Sequence, residues 1–362
     1  VSGSQFRHAE DGTFRKVMQS ARARAEAAGW RAVADFLPVP RLLEVRDHGD
    51  HGELVYEDVF TTGRCRRLLA DAINTADRES TAVGAVEDLL DGVCDDLVAA
   101  ASTSGAGGRL DACVPDLYAA RLASGARLDH WYVDAPQPAW QIEGECLRLA
   151  DLATRTLVVD GRECRSPWDG LLERLRAELA PHTRWATAVT QGDVTEPNIA
   201  DPLCWLDFEH AGRNVLAGDV ANLLWYLLGM GGWLVPTYQP ATYVRTLREP
   251  RPPLAHPIVQ RLHMGRRRVE IEPAWVAGSG RRASLDAVVR RLDADLGAAI
   301  APGSDVTDAL RPFLAVRILG VIPLGQLSGP DALLCFAKLA ELADPRLTLD
   351  DLVRTVPATL GA

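Results

Sequence analysis

One short region of the chain crowds together side chains that could do chemistry. In Gln191-Gly192-Asp193-Val194-Thr195-Glu196-Pro197-Asn198-Ile199, Asp193 and Asn198 stand five apart, and Asp207 follows nine residues later in Trp205-Leu206-Asp207-Phe208-Glu209. Phosphoryl transfer needs little covalent help and much positioning: a base beside the accepting hydroxyl and oxygen ligands for Mg²⁺. An amide and a carboxylate are hard oxygen donors of the kind Mg²⁺ takes, with substrate phosphates completing its shell. Asn198 and Asp207 are therefore candidate metal ligands, and Asp193 is left free to take a hydroxyl proton. Singly, Asp193 and Asp207 are also ordinary turn formers; their joint spacing with Asn198 favours the chemical reading.

Lysine usage singles out another residue. Of 39 basic residues only Lys16 and Lys338 are lysine, so this sequence places arginine wherever a positive charge alone suffices. A compact ammonium fits against phosphate oxygens where a planar guanidinium would not, which makes Lys16 a candidate phosphate contact. The bland alternative is a surface lysine on an edge strand.

Composition bounds the function class. The 362 residues, 47% of them apolar, suit two lobes or domains. A net charge of −10 argues against nucleic acid as a partner, because phosphate backbones need a basic face. Seven scattered cysteines without a CxxC pair and eight histidines without an i, i+4 pair predict neither a disulfide framework nor a zinc site. No run of 18 apolar residues occurs, and no basic segment followed by an apolar run opens the chain. Neither membrane insertion nor secretion is predicted, and the cytoplasm is the expected location.

The elements that must carry these residues follow from periodicity and turn chemistry. Residues 6 to 18 read as a hairpin turning at Asp11-Gly12, with Lys16 on its second strand. Ser20 is a plausible N-cap for an Ala-rich helix to about Asp35, whose single acidic residue is Glu26; a solvated Glu26 is an equal reading. Leu42 to Val45 and Leu54 to Tyr56 are short strands around a turn-rich Asp47 to Gly52. Apolar spacing of three and four then predicts helices at Arg67 to Asn74, Ala85 to Ala101 and Asp111 to Ala123, with 102–108 as a flexible loop. Thr156 to Val159 and Arg162 to Cys164 read as a hairpin, followed by a helix from about Trp168 to Leu179. From Asp219 onward the chain reads as mostly helical, interrupted by a Pro- and Arg-rich region at 248–281.

Together these residues resemble the aminoglycoside phosphotransferase and choline kinase families. The 191–198 loop is similar to their HGDxxxxN catalytic loop, with Gln191 where histidine is usual. Asp207-Phe208-Glu209-His210-Ala211-Gly212 resembles their metal-binding segment, and Gly218-Asp219-Val220-Ala221 their downstream Asp, which orients the catalytic loop from behind. The resemblance implies an α+β, two-lobed, protein-kinase-like fold: a small β-rich lobe at residues 1–58 and a large, mainly helical lobe at 59–362. It also implies ATP or another nucleoside triphosphate with Mg²⁺ as cofactors. Asp193 would be the base, Asn198 and Asp207 the Mg²⁺ ligands, Lys16 the phosphate contact and Glu26 its helix partner. The Leu54-Val55-Tyr56-Glu57-Asp58-Val59 segment resembles the hinge, whose backbone at Glu57 and Val59 would bond the adenine edge.

The implied activity is phosphorylation of a hydroxyl on a small molecule: an aminoglycoside, a nucleoside antibiotic, an amino alcohol or a sugar, with antibiotic inactivation as one role. Glu196 and Glu209, close to the catalytic loop, would suit a cationic acceptor. Two departures, Gln191 and a segment of only Val1 to Ser4 before the first hairpin strand, keep open a pseudokinase that binds nucleotide or a partner without transfer. A protein kinase is disfavoured, since no Ala-Pro-Glu segment or activation loop follows Asp207. Asp219 also reads as an N-cap for a helix at 220–228. Trp205 and Trp225 read as core and Trp233 as a candidate acceptor-pocket wall. Arg266-Arg267-Arg268 reads as a solvated face.

Overall fold

The computed structural model describes residues 5–9, 11–113, 117–134, 138–164, 168 and 170–358, so Val1 to Ser4 lie outside the described residues. At the N-terminal end, β1 (Gln5–His8), β2 (Thr13–Gln19), α1 (Ser20–Val33), β3 (Leu42–Asp47) and β4 (His51–Glu57) follow one another. The four strands form an antiparallel sheet in the order β1-β2-β4-β3. The period-two alternation of a strand buries Lys16 and Met18 on one face of β2, with Lys16 paired between Phe6 and Leu54.

Helix α1 covers that sheet. Its buried positions, Ala23, Glu26 and Ala27, recur at helical spacing, so Glu26 lies in the buried stripe at 1% exposure and the solvated reading is set aside. Ser20 is the first helical residue rather than the cap; its hydroxyl instead donates to Asp47 Oδ1 and the Gly49 carbonyl, tying α1 to the β3–β4 turn. A Cβ on Gly29 would stand 2.3 Å from the Phe208 carbonyl oxygen, so glycine lets α1 lie directly on the segment that carries Asp207.

The rest of the chain is built mainly of helices. After α2 (Leu69–Ala76) and α3 (Val83–Ser104), strand β5 (Ala106–Arg109) pairs with β6 (Arg184–Thr190). The 102–108 stretch is thus helix end and edge strand rather than a free loop: β6 supplies the hydrogen bonds that the glycines' weak strand preference does not predict. Nor is 111–123 one helix. Leu110–Ala112 is a tight turn and Ala119–Leu122 a single helical turn, with 114–116 outside the described residues. The 168–179 helix is observed at Leu171–Glu178.

Strand β6 ends at Thr190, where the 191–198 loop begins. Beyond the loop, β7 (Ile199–Asp201) and β8 (Cys204–Trp205) fold back on each other, and β9 (Gly212–Val215) pairs with β6, opposing Gly212 to Thr190. This return brings Asp207 alongside the start of the loop. The Leu206 N–H donates to the Asn198 carbonyl at 2.8 Å, and the Trp205 indole N–H to Asp96 of α3 at 2.7 Å.

Behind the loop, α4 (Leu216–Trp225) is buried throughout and packs on α6, with α5 against α3; α5 is Ser279–Leu292 and α6 Val306–Gly320. The 248–281 region is not merely an interruption. Ile258–Met264 and Arg268–Ala274 form a hairpin that joins the 156–164 hairpin in one four-stranded sheet, with Arg268–Ile271 running parallel to Thr156–Val159. Among the described residues no helix is long and apolar enough to cross a membrane. The architecture is a small β-rich lobe joined to a large helical one.

Candidate active site

Lys16 reaches across the boundary between the lobes. Its Nζ lies 2.6 Å from Glu26 Oε2 and 2.8 Å from Asp207 Oδ1, and the side chain is almost fully buried. Burial pulls the ammonium's pKa down, but Asp207 and Glu26 more than offset it and raise it. Burial pushes the Glu26 carboxyl up to about 7 against the pull of Lys16, with the Asp207 charge adding to the rise. Burial also opposes ionisation of Asp207, yet the Lys16 ammonium holds that carboxyl below its ordinary value. The Tyr56 hydroxyl, from β4, donates to Glu26 Oε1 at 3.2 Å and fixes the carboxylate that fixes the lysine.

The 191–198 loop is held by amides. Gln191, wholly buried, donates from Nε2 to the carbonyls of Leu206 at 2.9 Å and Asp207 at 2.5 Å, while its Oε1 accepts the Asp193 N–H at 2.8 Å. It therefore couples the loop to the Asp207 segment through one donor group and one acceptor. Gly192 takes a left-handed φ of +82°, and a Cβ there would lie 1.9 Å from the His210 carbonyl oxygen, so no other residue fits this turn. Asp193 is gripped on both oxygens: Asn222 Nδ2 donates to Oδ1 at 2.8 Å and Asn198 Nδ2 to Oδ2 at 3.2 Å.

Asp219 does not cap a helix at 220–228, because α4 already begins at Leu216. Its Oδ2 accepts the Thr190 hydroxyl at 2.5 Å, anchoring the strand end from which the loop springs. Burial raises this carboxyl to about 7, with the Thr190 bond opposing and the Asp193 charge adding. Asn222, one turn further along α4, was not singled out by the sequence; its spacing from Asp219 is the signal, since i and i+3 share a helix face.

These groups open onto one cleft of about 500 Å³. Lys16, Glu26, Asp193, Asn198 and Asp207 all line it, as do Glu57 and Val59. The Val59 N–H has no partner among the described residues and is free to donate, whereas the Glu57 N–H is used by Arg41 and its side chain faces Arg41 and Arg64. Phe6, Phe14 and Leu206 give this end of the cleft apolar walls.

Other sequence readings are relocated. Glu196 is buried against Arg281, with Nη1 2.5 Å from Oε1 and Nη2 3.3 Å from Oε2, and Glu209 pairs with Arg22. Neither lines the cleft, so neither is positioned to receive a cationic acceptor. Trp233 does not line it either. Like Trp205 and Trp225 it is core, packed edge-on against Trp275. Arg268 of the Arg266–Arg268 run pairs with Glu270 on an exposed hairpin. Lys338, the second lysine, is also buried: its ammonium meets Glu341 and the Leu352 carbonyl and sits 4.3 Å over the Trp275 ring.

The donor set suits a hard divalent cation. Asn198 spends its amide nitrogen on Asp193, leaving Oδ1 uncommitted, and Asp207 spends Oδ1 on Lys16, leaving Oδ2. Two protein oxygens beside a space for phosphates is the way proteins usually hold Mg²⁺. The described residues hold no group of three or more His, Cys, Asp and Glu side chains that would bind a metal without a substrate's help.

Comparison with known proteins adds resemblance of outline. No family model and no curated protein matches the chain. Among solved structures it is similar to an aminoglycoside phosphotransferase from Streptomyces rimosus (17% identity over 87% of this chain and 92% of that one, TM-score 0.41). It is also similar to an aminoglycoside-3'-phosphotransferase of type VIII (15%, 88% and 94%, TM-score 0.41). A glucosamine kinase solved with glucosamine, ADP and inorganic phosphate is similar too (15%, 93% and 75%, TM-score 0.40). At this level the likeness adds nothing to the distances above: a small β-rich lobe and a large helical one gather Lys16, Glu26, Asp193, Asn198 and Asp207 around one cleft.

Proposed function

We propose that the chain is a phosphotransferase that moves the γ-phosphoryl group of ATP, or of another nucleoside triphosphate, to a hydroxyl of a small molecule. The observation that carries this reading is the convergence of the Lys16 ammonium, the Asp193 carboxylate and the oxygens of Asn198 and Asp207 on one cleft. In this reading the Val59 N–H bonds the adenine edge and Lys16, steadied by Glu26 and Tyr56, meets the phosphates. Asn198 and Asp207 would hold Mg²⁺, which when bound neutralises charge on the phosphate oxygens. Asn222 and Asn198 fix the plane of the Asp193 carboxylate so that a lone pair faces the acceptor. As the acceptor oxygen bonds to the γ-phosphorus and the bond to the departing diphosphate breaks, Asp193 takes the hydroxyl proton.

Gln191 weighs against the alternative of a binding module without transfer. The side chain that departs from the family pattern still supplies the bonds that shape the loop. The test is ADP formation over a panel of hydroxyl acceptors with and without Mg²⁺. Asp193→Ala should lower turnover by about 10²- to 10⁴-fold while nucleotide affinity is nearly kept. Asp207→Ala should weaken Mg²⁺-nucleotide binding as well. Equal loss of both properties in Asp193→Ala would remove it as the base.

A further inference from the structure

The half of the cleft formed by the helices after α4 carries charge of one sign only. From residue 226 onward its charged lining residues are Arg245, Arg248 and Arg317, and no carboxylate from this part of the described chain faces the space. The carboxylates of the cleft come from earlier in the chain and already have partners: Lys16 engages Glu26 and Asp207, His8 engages Asp58, Arg41 and Arg64 engage Glu57, and the two asparagines hold Asp193.

Arg317 is the unusual member. It is only 4% exposed, on the last turns of α6, and its Nε and Nη1 donors are buried without any hydrogen-bond partner among the described residues. A buried guanidinium without a carboxylate is costly, because its hydration is lost and nothing replaces it. Its surroundings add to the cost. Arg121 and Arg127 both donate to the Gly320 carbonyl at the end of the same helix, at 3.0 and 3.1 Å. Burial and the neighbouring charge of Arg317 pull the Arg121 guanidinium down to about 9. Arg245 is exposed on the 240–246 helix and makes no ion pair among the described residues; Arg248 rests on the Phe60 ring at 4.3 Å.

We infer that this end of the cleft is a subsite for an oxyanion, and that the acceptor hydroxyl is carried by a molecule bearing a carboxylate or a phosphate, gripped by Arg317 and Arg245. The inference rests on the phosphotransferase reading for the word acceptor; the anion subsite itself rests on the arginines. The nucleotide's own phosphates are provided for by Lys16 and the two metal-ligand candidates, so they do not account for cations contributed by the C-terminal helices. Guanidinium groups are the natural partners of planar carboxylates and of phosphates, through paired, charge-assisted hydrogen bonds. A cationic group on the acceptor would instead be repelled by Arg245, Arg248 and Arg317 at this end.

The test uses the whole chain loaded with Mg²⁺ and a non-hydrolysable ATP analogue, so that the phosphate site is filled. Calorimetry then compares four probes on one scaffold: glucose, glucosamine, gluconate and glucose 6-phosphate. Gluconate or glucose 6-phosphate should bind more tightly than glucose and glucosamine, with the better of the two identifying carboxylate or phosphate. Arg245→Ala and Arg317→Met should each weaken that anion by at least about tenfold. Equal binding of all four probes, or anion binding untouched by the substitutions, overturns the subsite. So does a loss confined to the ATP analogue, which would assign the arginines to the γ-phosphate. Should Arg317→Met fail to fold, by its circular dichroism, Arg245→Ala alone decides. Absence of ADP formation with every acceptor while the anion still binds would remove the phosphotransferase reading and leave the subsite standing.

Discussion

At the level of single residues, the site depends on uncharged amides as much as on its charges. Gln191 satisfies two carbonyls and one N–H, all held between the loop and the Asp207 segment. Gln191→Leu keeps the volume but strands them, at about 1–3 kcal/mol for each buried group left without a partner. Lower stability in urea, with turnover falling more than nucleotide affinity, is the expected result; a variant as stable as wild type would show that water replaces the amide. Asp219 gives a pH signature. Its carboxyl is raised to about 7 in the fold from an ordinary 3.8, so between those values the folded state binds more protons than the unfolded one. Its contribution to stability is therefore present at acid pH and lost as pH rises towards 7. Unfolding curves from pH 4 to 8 should show Asp219→Asn flattening that decline, and parallel curves for the two proteins would remove the assignment. Asp193, Asn198, Asp207 and Lys16 were legible because their types and spacing are rare in combination. Asn222 and Tyr56 were not, since a single Asn in an apolar helix and a Tyr in a strand look like packing until the fold supplies their partners.

At the level of elements, strand alternation and turn chemistry were enough to find the first sheet and α1, because those signals are local. They failed where a partner strand decides the outcome. Ala106–Arg109 is a strand only because β6 lies beside it, and the Arg-rich 248–281 region becomes sheet only by pairing with residues more than a hundred positions earlier. The packing of α1 on the segment that carries Asp207 is likewise invisible in sequence. Gly29 sits at the point of contact, where a Cβ would also stand 3.0 Å from the Ala211 carbonyl oxygen and 3.1 Å from the Ala211 Cβ. Gly29→Ala should tilt α1 outward and carry Glu26 away from Lys16, at an overpacking cost of about 1–3 kcal/mol. A weaker affinity for Mg²⁺-nucleotide with unchanged helical content is the expected outcome. Retained affinity would mean that the Phe208 backbone yields instead.

At the level of the whole molecule, two of the ion pairs among the described residues tie the β2–α1 unit to the segment at 207–209: Lys16 with Asp207, and Arg22 with Glu209. The first would rearrange in the proposed reaction, where Asp207 is a candidate metal ligand and Lys16 a candidate phosphate contact. The second is independent of the cleft contents. It joins two half-buried side chains in a two-bonded arrangement, including Nε to Oε1 at 2.7 Å. Partly exposed pairs of this geometry are worth about 1 kcal/mol, more than a flexible surface lysine pair because the guanidinium fork is preorganised. Arg22→Ala should therefore loosen α1 from the large lobe without unfolding either. Amide hydrogen exchange would rise across Ser20–Val33 and stay constant across Val306–Gly320, and Mg²⁺-nucleotide should restore part of the protection by bridging the lobes through the phosphates. Unchanged exchange in α1 would mean that the close apolar seat around Gly29, rather than charge, holds the lobes together.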